Sequence, residues 1–446
     1  MSLRPNALVA LLASFIFTLG APAPALAQLR AGPMVGDVDA HNASIWVQSE
    51  RQAQIVLRYW PADQPTTKPD KPIEVRTQTT GPDALATFRL TELKAGQRYF
   101  YSVAVAGYQG QTFEFTTQSV WRPRSGSQPS DLRVALGSCA YSADASDSGS
   151  AYAGDPRIFE HMASYKPQLT LWLGDNLYLR EDEYSSPEGI MSRYRQDRAQ
   201  PALQRLLQTG RHAAIWDDHD YGPNDSNSSY VLKQASLEVF KRYWPNRSFG
   251  LPETPGVFTQ FSEGDVDFFL LDNRTYRDSD KDLHSPSKQM FGPAQIRWLK
   301  NALLNSTATF KLVAAGGQFL NDFNRFEGWT NFKAERDDFL AWLKANRVSG
   351  VVFLSGDRHH TELIQLPREG SYPLFELTCS PLTAGVAKLP DEDKKPYLIP
   401  GTLVQQRNFC GIEVTGPRGA RLLTLKSFTS EGAQIWSHAL EERALR

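Results

Sequence analysis

The chain has 446 residues, more than one ordinary hydrophobic core organises, so two domains are expected. Its 48 Lys and Arg against 49 Asp and Glu nearly cancel, which removes the electrostatic case for a nucleic-acid or polyanion partner. A hydrophobic content of 41% suffices for sizeable cores, and no run beyond the N-terminus reaches the ~20 apolar residues needed to cross a bilayer.

Residues 1–27 carry Arg4, an apolar run from Ala7 to Leu19 and then APAPALAQ, with Ala25-Leu26-Ala27 as a small-residue cleavage site before Gln28. This reads as a removed export signal, because the run is too short for a membrane anchor. Arg4 stands alone, so the general secretory route is expected rather than a twin-arginine one, with a periplasmic or secreted product. Residues 28–118 alternate in short pieces such as ASIWVQ, QIVLRYW and RYFYSVAV, separated by Pro, Gly and Asp clusters. That pattern predicts a small antiparallel β-sandwich. Its LKAGQRYFYSVAV stretch resembles a fibronectin type III-like module. A Pro-, Ser- and Gly-rich linker is expected at 119–130. From Asp131 to residue 446, strand-like runs alternate with helical patterns at Pro156–Tyr165, Ser229–Trp244, Pro293–Leu304 and Phe332–Asn346, which predicts a layered α/β domain. Tyr372–Thr378 and Ala420–Trp436 alternate more like strands, so a mixed sheet is expected there.

Five apolar runs of this second domain stop on polar residues: Val134–Cys139 (VALGSC), Leu169–Tyr178 (LTLWLGDNLY), Ala213–Asp220 (AAIWDDHD), Val266–Arg274 (VDFFLLDNR) and Val351–His360 (VVFLSGDRHH). A buried strand delivers its last side chains to the sheet edge, and in open α/β sheets such ends line one crevice. Cys139, Asp175, Tyr178, Asp217, Asp218, His219, Asn224, Asp357, His359 and His360 are therefore expected to converge. Several carboxylates share an apolar crevice only when cations or protons neutralise them. Asp175, with two oxygens, can hold two metal ions about 3.5–4 Å apart. Cys139, Tyr178 and His359 suit a transition metal, and their anionic donors favour a highly charged ion such as ferric iron. Asp218, Asn224 and Asp357 offer only oxygen, which suits calcium or magnesium. His219 is left over as a catalytic group that stabilises phosphoryl charge or protonates the leaving oxygen, with Asp217 orienting it.

Each residue has a plainer reading when taken alone. GDN and paired Asp are common turn strings. Arg274 and Arg358 could bind a substrate phosphate, although arginines more often serve ion pairs; Gln318, at the end of KLVAAGGQ, is equally open. His360 is expected behind the ligands, because a strand end rarely turns two adjacent side chains to one ion. His161, His212, His284 and His438 have no such context and are read as structural.

Taken together, GSC at Gly137–Cys139, GDNLY at Gly174–Tyr178, WDDHDYGPND at Trp216–Asp225 and SGDRHH at Ser355–His360 closely resemble the alkaline phosphatase D (PhoD-like) family of metallophosphatases. The resemblance covers nearly the whole chain after residue 27. It implies a four-layer αββα catalytic domain preceded by a β-sandwich, and a hydrolase acting on phosphate monoesters and/or diesters by attack of a metal-bound hydroxide. It implies Fe3+ on Cys139, Asp175, Tyr178 and His359, and Ca2+ on Asp175, Asp218 and Asp357 with Asn224; Zn2+, Mg2+ or Mn2+ are the alternatives. Because YGPND follows Asp220 here, Asn227 is the fallback for Asn224. Arg358, Arg274 and His360 are the substrate-binding candidates, the substrates being small phosphate esters, and a monomer is expected. A phosphodiesterase or phospholipase is the alternative within the class. A non-enzymatic surface-binding protein is the alternative outside it, disfavoured because none of Cys139, Asp175, Tyr178, Asp218 and His359 is lost. Cys379 and Cys410, in strand-like surroundings where relatives tend to carry small residues, are expected to form a disulfide closing a loop of about 30 residues.

Overall fold

The computed structural model describes residues 28–65, 71–105, 108–120, 128–144, 152–323, 326–389 and 396–446; the segment read as an export signal lies outside them, as does part of the expected linker. No helix among the described residues is long and apolar enough to cross a membrane. The N-terminal strands form two layers. Leu29–Val38, Ala43–Ser49 and Leu85–Leu90 pair on one side, and Ile73–Gln78, Gln54–Pro61, Arg98–Val105 and Tyr108–Thr116 form a four-stranded sheet on the other. Their inward residues, among them Val35, Ile45, Val47, Ile55, Leu57, Phe88, Tyr101 and Val103, build a separate core. Alternation of apolar and polar residues is what makes this possible, since successive strand side chains face opposite ways.

One layer of the sandwich is not self-contained. Leu29–Val38 runs parallel to Arg211–Ile215, paired at Val35 and Arg211, so its three strands complete a nine-stranded sheet that otherwise belongs to the α/β domain. The first strand thereby covers an edge that would expose unpaired backbone groups. The joint is packed as well as paired: the indole of Trp46 donates to the Arg242 carbonyl at 2.9 Å.

The α/β domain contributes the rest of that sheet and a six-stranded one. Leu132–Gly137, Leu169–Leu173 and Arg211–Ile215 are parallel neighbours in the first; Val266–Leu270, Phe310–Ala314, Val351–Ser355 and Leu374–Thr378 are parallel neighbours in the second. Leu169–Leu173, Arg211–Ile215, Phe310–Ala314, Val351–Ser355 and Leu374–Thr378 are buried throughout, which accounts for their lack of alternation. Antiparallel strands Asn408–Thr415, Leu422–Thr429 and Gln434–Glu441 extend the nine-stranded sheet, making it mixed. Residues of both sheets and of helices Ile158–Ser164, Lys233–Tyr243, Pro293–Asn305 and Lys333–Ala345 share one continuous core.

Cys379 and Cys410 are joined, 31 residues apart, and both are fully buried. The bond ties the end of Leu374–Thr378 in one sheet to Asn408–Thr415 in the other. Closing a loop of this length is worth about 3–4 kcal/mol on the chain-entropy account. Replacing both cysteines by alanine is therefore expected to lower unfolding stability by up to that amount in denaturant titrations. Mass spectrometry of unreduced peptides should find the pair linked, and two free thiols would end the assignment.

Candidate metal centre

The four strand ends meet. Leu132–Gly137 leads to Ser138 and Cys139, Leu169–Leu173 to Gly174 and Asp175, Arg211–Ile215 to Asp217 and the short helix Asp218–Tyr221, and Val351–Ser355 to Asp357 and His359. Cys139, Asp175, Asp357 and His359 all adopt left-handed backbone, with φ of 60°, 49°, 66° and 54°. Non-glycine residues rarely do so, and such strain persists where surrounding structure over-determines it. Gly174 (φ 89°) cannot be substituted freely, since a Cβ there would lie 2.7 Å from that of Asp217. Asp217 caps the short helix in a reciprocal box with Asp220.

Donor atoms of Cys139, Asp175 and His359 lie within 4.8 Å of one another, and so do those of Asp175, Asp218 and His219; Asp175 belongs to both groups. Its Oδ2 lies 3.6 Å from Cys139 Sγ and 3.4 Å from Tyr178 Oη, and its Oδ1 accepts from the His219 N–H at 3.3 Å. Tyr178 Oη is in turn 3.2 Å from His359 Nε2. Asp175, Asp218, His219, Asn224, Asn227, Asp357, Arg358 and His359 line one cavity of about 1210 Å3.

The acids here resist joint ionisation. Burial raises Asp175 well above the carboxylate range, and the charges of Asp218 and Cys139 add to it. Burial pushes the Cys139 thiol up to about 12 and raises Tyr178. It also lifts Asp357 to about 7, partly offset by Arg358 and reinforced by Glu327 and Asp217. Asp218 alone is held low: burial works against it, but His219, Arg274 and the Asp225 N–H outweigh that. A thiol, a phenol, an imidazole and several carboxylates that cannot all ionise unaided are a donor set that cations complete. The residues present thus fit bound metal.

A family model described as PhoD-like phosphatase matches residues 138–409, more than half of the chain and every candidate ligand. The chain belongs to the PhoD-like phosphatase family. The family is described as one of phosphatases, enzymes that hydrolyse phosphoric esters. A second model, a domain of unknown function, matches residues 26–120. Alkaline phosphatase D of Bacillus subtilis (strain 168) is 26% identical over 249 residues, covering 45% of this chain and 42% of that protein, less than half its length. A solved structure of PhoD matches with a TM-score of 0.78 at 18% identity, covering 96% of this chain and 93% of that one. The purple acid phosphatase PPD1 from yellow lupin (Lupinus luteus) seeds matches with a TM-score of 0.66 at 14% identity, covering 92% and 74%. At those identities the two likenesses speak to the fold, a mixed α/β architecture.

Three expectations for this PhoD-like phosphatase need correction. Arg274 is fully buried, pairing with Asp217, with Glu327 at 2.7 Å and with Asp218 at 3.6 Å, so its guanidinium is spent inside the protein and not on substrate. His360 is also fully buried, its Nδ1 2.8 Å from the Arg358 carbonyl and its Nε2 3.4 Å from Glu362, so it stands behind the cavity wall. Asp217 Oδ1 accepts from Arg274 Nε and from Asn273 Nδ2 (2.8 Å), which makes Asp217 an anchor of Arg274 and not the orienter of His219. Arg358 does line the cavity, its guanidinium 5.0 Å from the Phe326 ring centroid. Gln318 is buried in a polar network with Glu362 and Thr378. His212 is held between the Trp172 indole (3.1 Å) and the Leu206 carbonyl (3.1 Å), a structural role as read.

Two acids went unread. Asp225 and Glu327 bring carboxylate oxygens within 4.8 Å of one from Asp218, and the Asp225 N–H donates to Asp218 Oδ2 at 2.8 Å. Asp225 closes the WDDHDYGPND string, where the neighbouring Asn224 drew attention instead; Glu327 sits in a loop with no periodic signal at all.

Proposed function

We propose that this chain is an exported phosphatase that hydrolyses small phosphate monoesters and/or diesters at a binuclear metal site. The observation that carries this reading is that two buried ligand groups share the single carboxylate of Asp175. On this reading Cys139, Tyr178, His359 and Asp175 would hold ferric iron, and Asp218, Asp357 and Asn224 would hold calcium together with Asp175. The cations would neutralise charge on the phosphoryl group and acidify a water molecule to serve as nucleophile. His219, whose imidazole burial keeps neutral despite Asp218, lines the cavity and is placed to donate a hydrogen bond from its ring N–H to charge building on the phosphoryl group or leaving oxygen. Arg358 at the cavity wall orients the phosphate. The same reading includes a signal at 1–27, a fibronectin type III-like sandwich at 28–118, a linker at 119–130 and a four-layer αββα catalytic domain at 131–446.

Metal analysis, absorption spectra and paired rates with aryl mono- and diesters test it. Ferric iron beside phenolate and thiolate should give a visible charge-transfer band that weakens or shifts in Tyr178→Phe, whereas zinc, with its filled d shell, gives none. Chelating calcium should cut activity while leaving the band largely intact. A colourless, fully active protein with stoichiometric zinc overturns the iron assignment, and hydrolysis of neither ester overturns the function.

A further inference from the structure

Cys139 is the single cysteine outside the disulfide and is fully buried. It clusters with Tyr178 and Ala384, with Tyr141 packed alongside. On the cavity side stands Tyr152, half-exposed, its ring edge-on to Tyr141 at 4.7 Å, 6.3 Å from the Tyr178 ring and 6.1 Å from that of His359. The position of this ring is held from two directions. It rests on bare backbone at Gly385, where a Cβ would come within 2.6 Å of Tyr152 Cδ2. Arg407 donates from Nη2 to the Tyr152 carbonyl and from Nε to the Ala384 carbonyl, each at 3.0 Å. Ala384 and Thr383 donate their own N–H groups to the Cys139 carbonyl, at 3.0 and 3.1 Å. One guanidinium thus ties the segment that carries Tyr152 to the segment that braces the backbone of Cys139.

We propose that Tyr152 is a positioning residue that walls the Cys139–Tyr178–His359 position off from solvent, with Arg407 and Gly385 fixing its ring. Where the wall guards a metal, this rests on the binuclear reading above. The physical basis is exclusion: an aromatic ring at the cavity wall, edge-on to Tyr178 and tilted toward His359, keeps water, chelators and thiol reagents from approaching these groups along the cavity. Removing it leaves the donor atoms in place while opening a path to them.

Two rates on the purified full chain test the wall: alkylation of Cys139 by iodoacetamide, followed by intact mass, and loss of bound metal to a chelator. Tyr152→Ala is expected to speed both by about tenfold or more, the range seen when support behind a metal ligand is lost. Tyr152→Phe, which keeps the ring, should match the unmodified protein, and Gly385→Ala, which displaces the ring without removing it, should follow the alanine variant. Equal alkylation rates in Tyr152→Ala and the unmodified chain would overturn the proposal, as would a Tyr152→Phe rate as fast as that of alanine. Alkylation is read on the thiol whether or not metal is present. A protein that binds no metal therefore fails the binuclear reading while leaving this test intact.

Discussion

Asp175→Asn is expected to abolish hydrolysis of both ester types and to cut the metal content of the purified protein. The carboxylate sits in both ligand groups, with Oδ2 toward Cys139 and Tyr178 and Oδ1 toward the His219 N–H. An amide keeps an oxygen that can accept from that N–H, but it turns an NH2 toward the thiol and phenol and removes the negative charge that two cations share. Losing a residue that only supports a metal ligand typically costs 10–100-fold in affinity or activity, so losing the bridging ligand itself should cost more than ~10²-fold. The fold should survive. Burial and repulsion from Asp218 and Cys139 raise the carboxyl and disfavour its charged form in the metal-free protein, so a neutral amide there removes no stabilising charge. Unchanged metal content together with near-normal turnover would rule out a site bridged by Asp175, and a large fall in metal-free stability would make the residue architectural.

What could be read from the residues alone was whatever is encoded locally. A continuous apolar run ending on polar residues marks a buried parallel strand and its tip, so the five runs ending at Cys139, Tyr178, Asp220, Arg274 and His360 were legible, and the tips of four converge as candidate ligands. The fifth shows the limit. VDFFLLDNR ends like the others, but Asp272 accepts from the Trp216 indole at 2.9 Å and from the Val257 N–H at 3.0 Å, and Arg274 turns inward to carboxylates. Nothing in the string separates an arginine offered to substrate from one consumed by buried acids. Glu327 and Asp225 reach the site from loops, where no period reports direction. The continuity of the sandwich with the main sheet rests on one parallel register, Val35 with Arg211, between segments far apart in the chain, and such a pairing leaves no local trace. The disulfide, by contrast, was legible: Cys379 and Cys410 were expected to pair from their strand-like surroundings and the family resemblance, and the two sheets bring them together.

His219→Asn is expected to leave both metals bound and to lower turnover by roughly 10²-fold or more, the usual cost of removing a positioned acid or base. The experiment discriminates because the geometry permits two roles. A ring nitrogen of His219 lies within 4.8 Å of carboxylate oxygens of Asp175 and Asp218, close enough for a ligand. Yet its ring packs tilted against Tyr178 with centroids 4.0 Å apart, and its backbone N–H already serves Asp175, so the ring has a support of its own without a metal bond. Burial lowers its pKa even with Asp218 beside it, which keeps the imidazole neutral at pH 7, with an N–H to hydrogen-bond a charged phosphoryl or leaving oxygen and a lone pair to accept a proton. A catalytic role predicts unchanged metal stoichiometry, an unchanged visible band and a loss confined to turnover. The loss should be smaller for esters with good leaving groups, which need little hydrogen-bond stabilisation as they depart. Loss of one metal per chain would instead make His219 a ligand and would shift the task of stabilising the leaving oxygen to another group on the cavity wall.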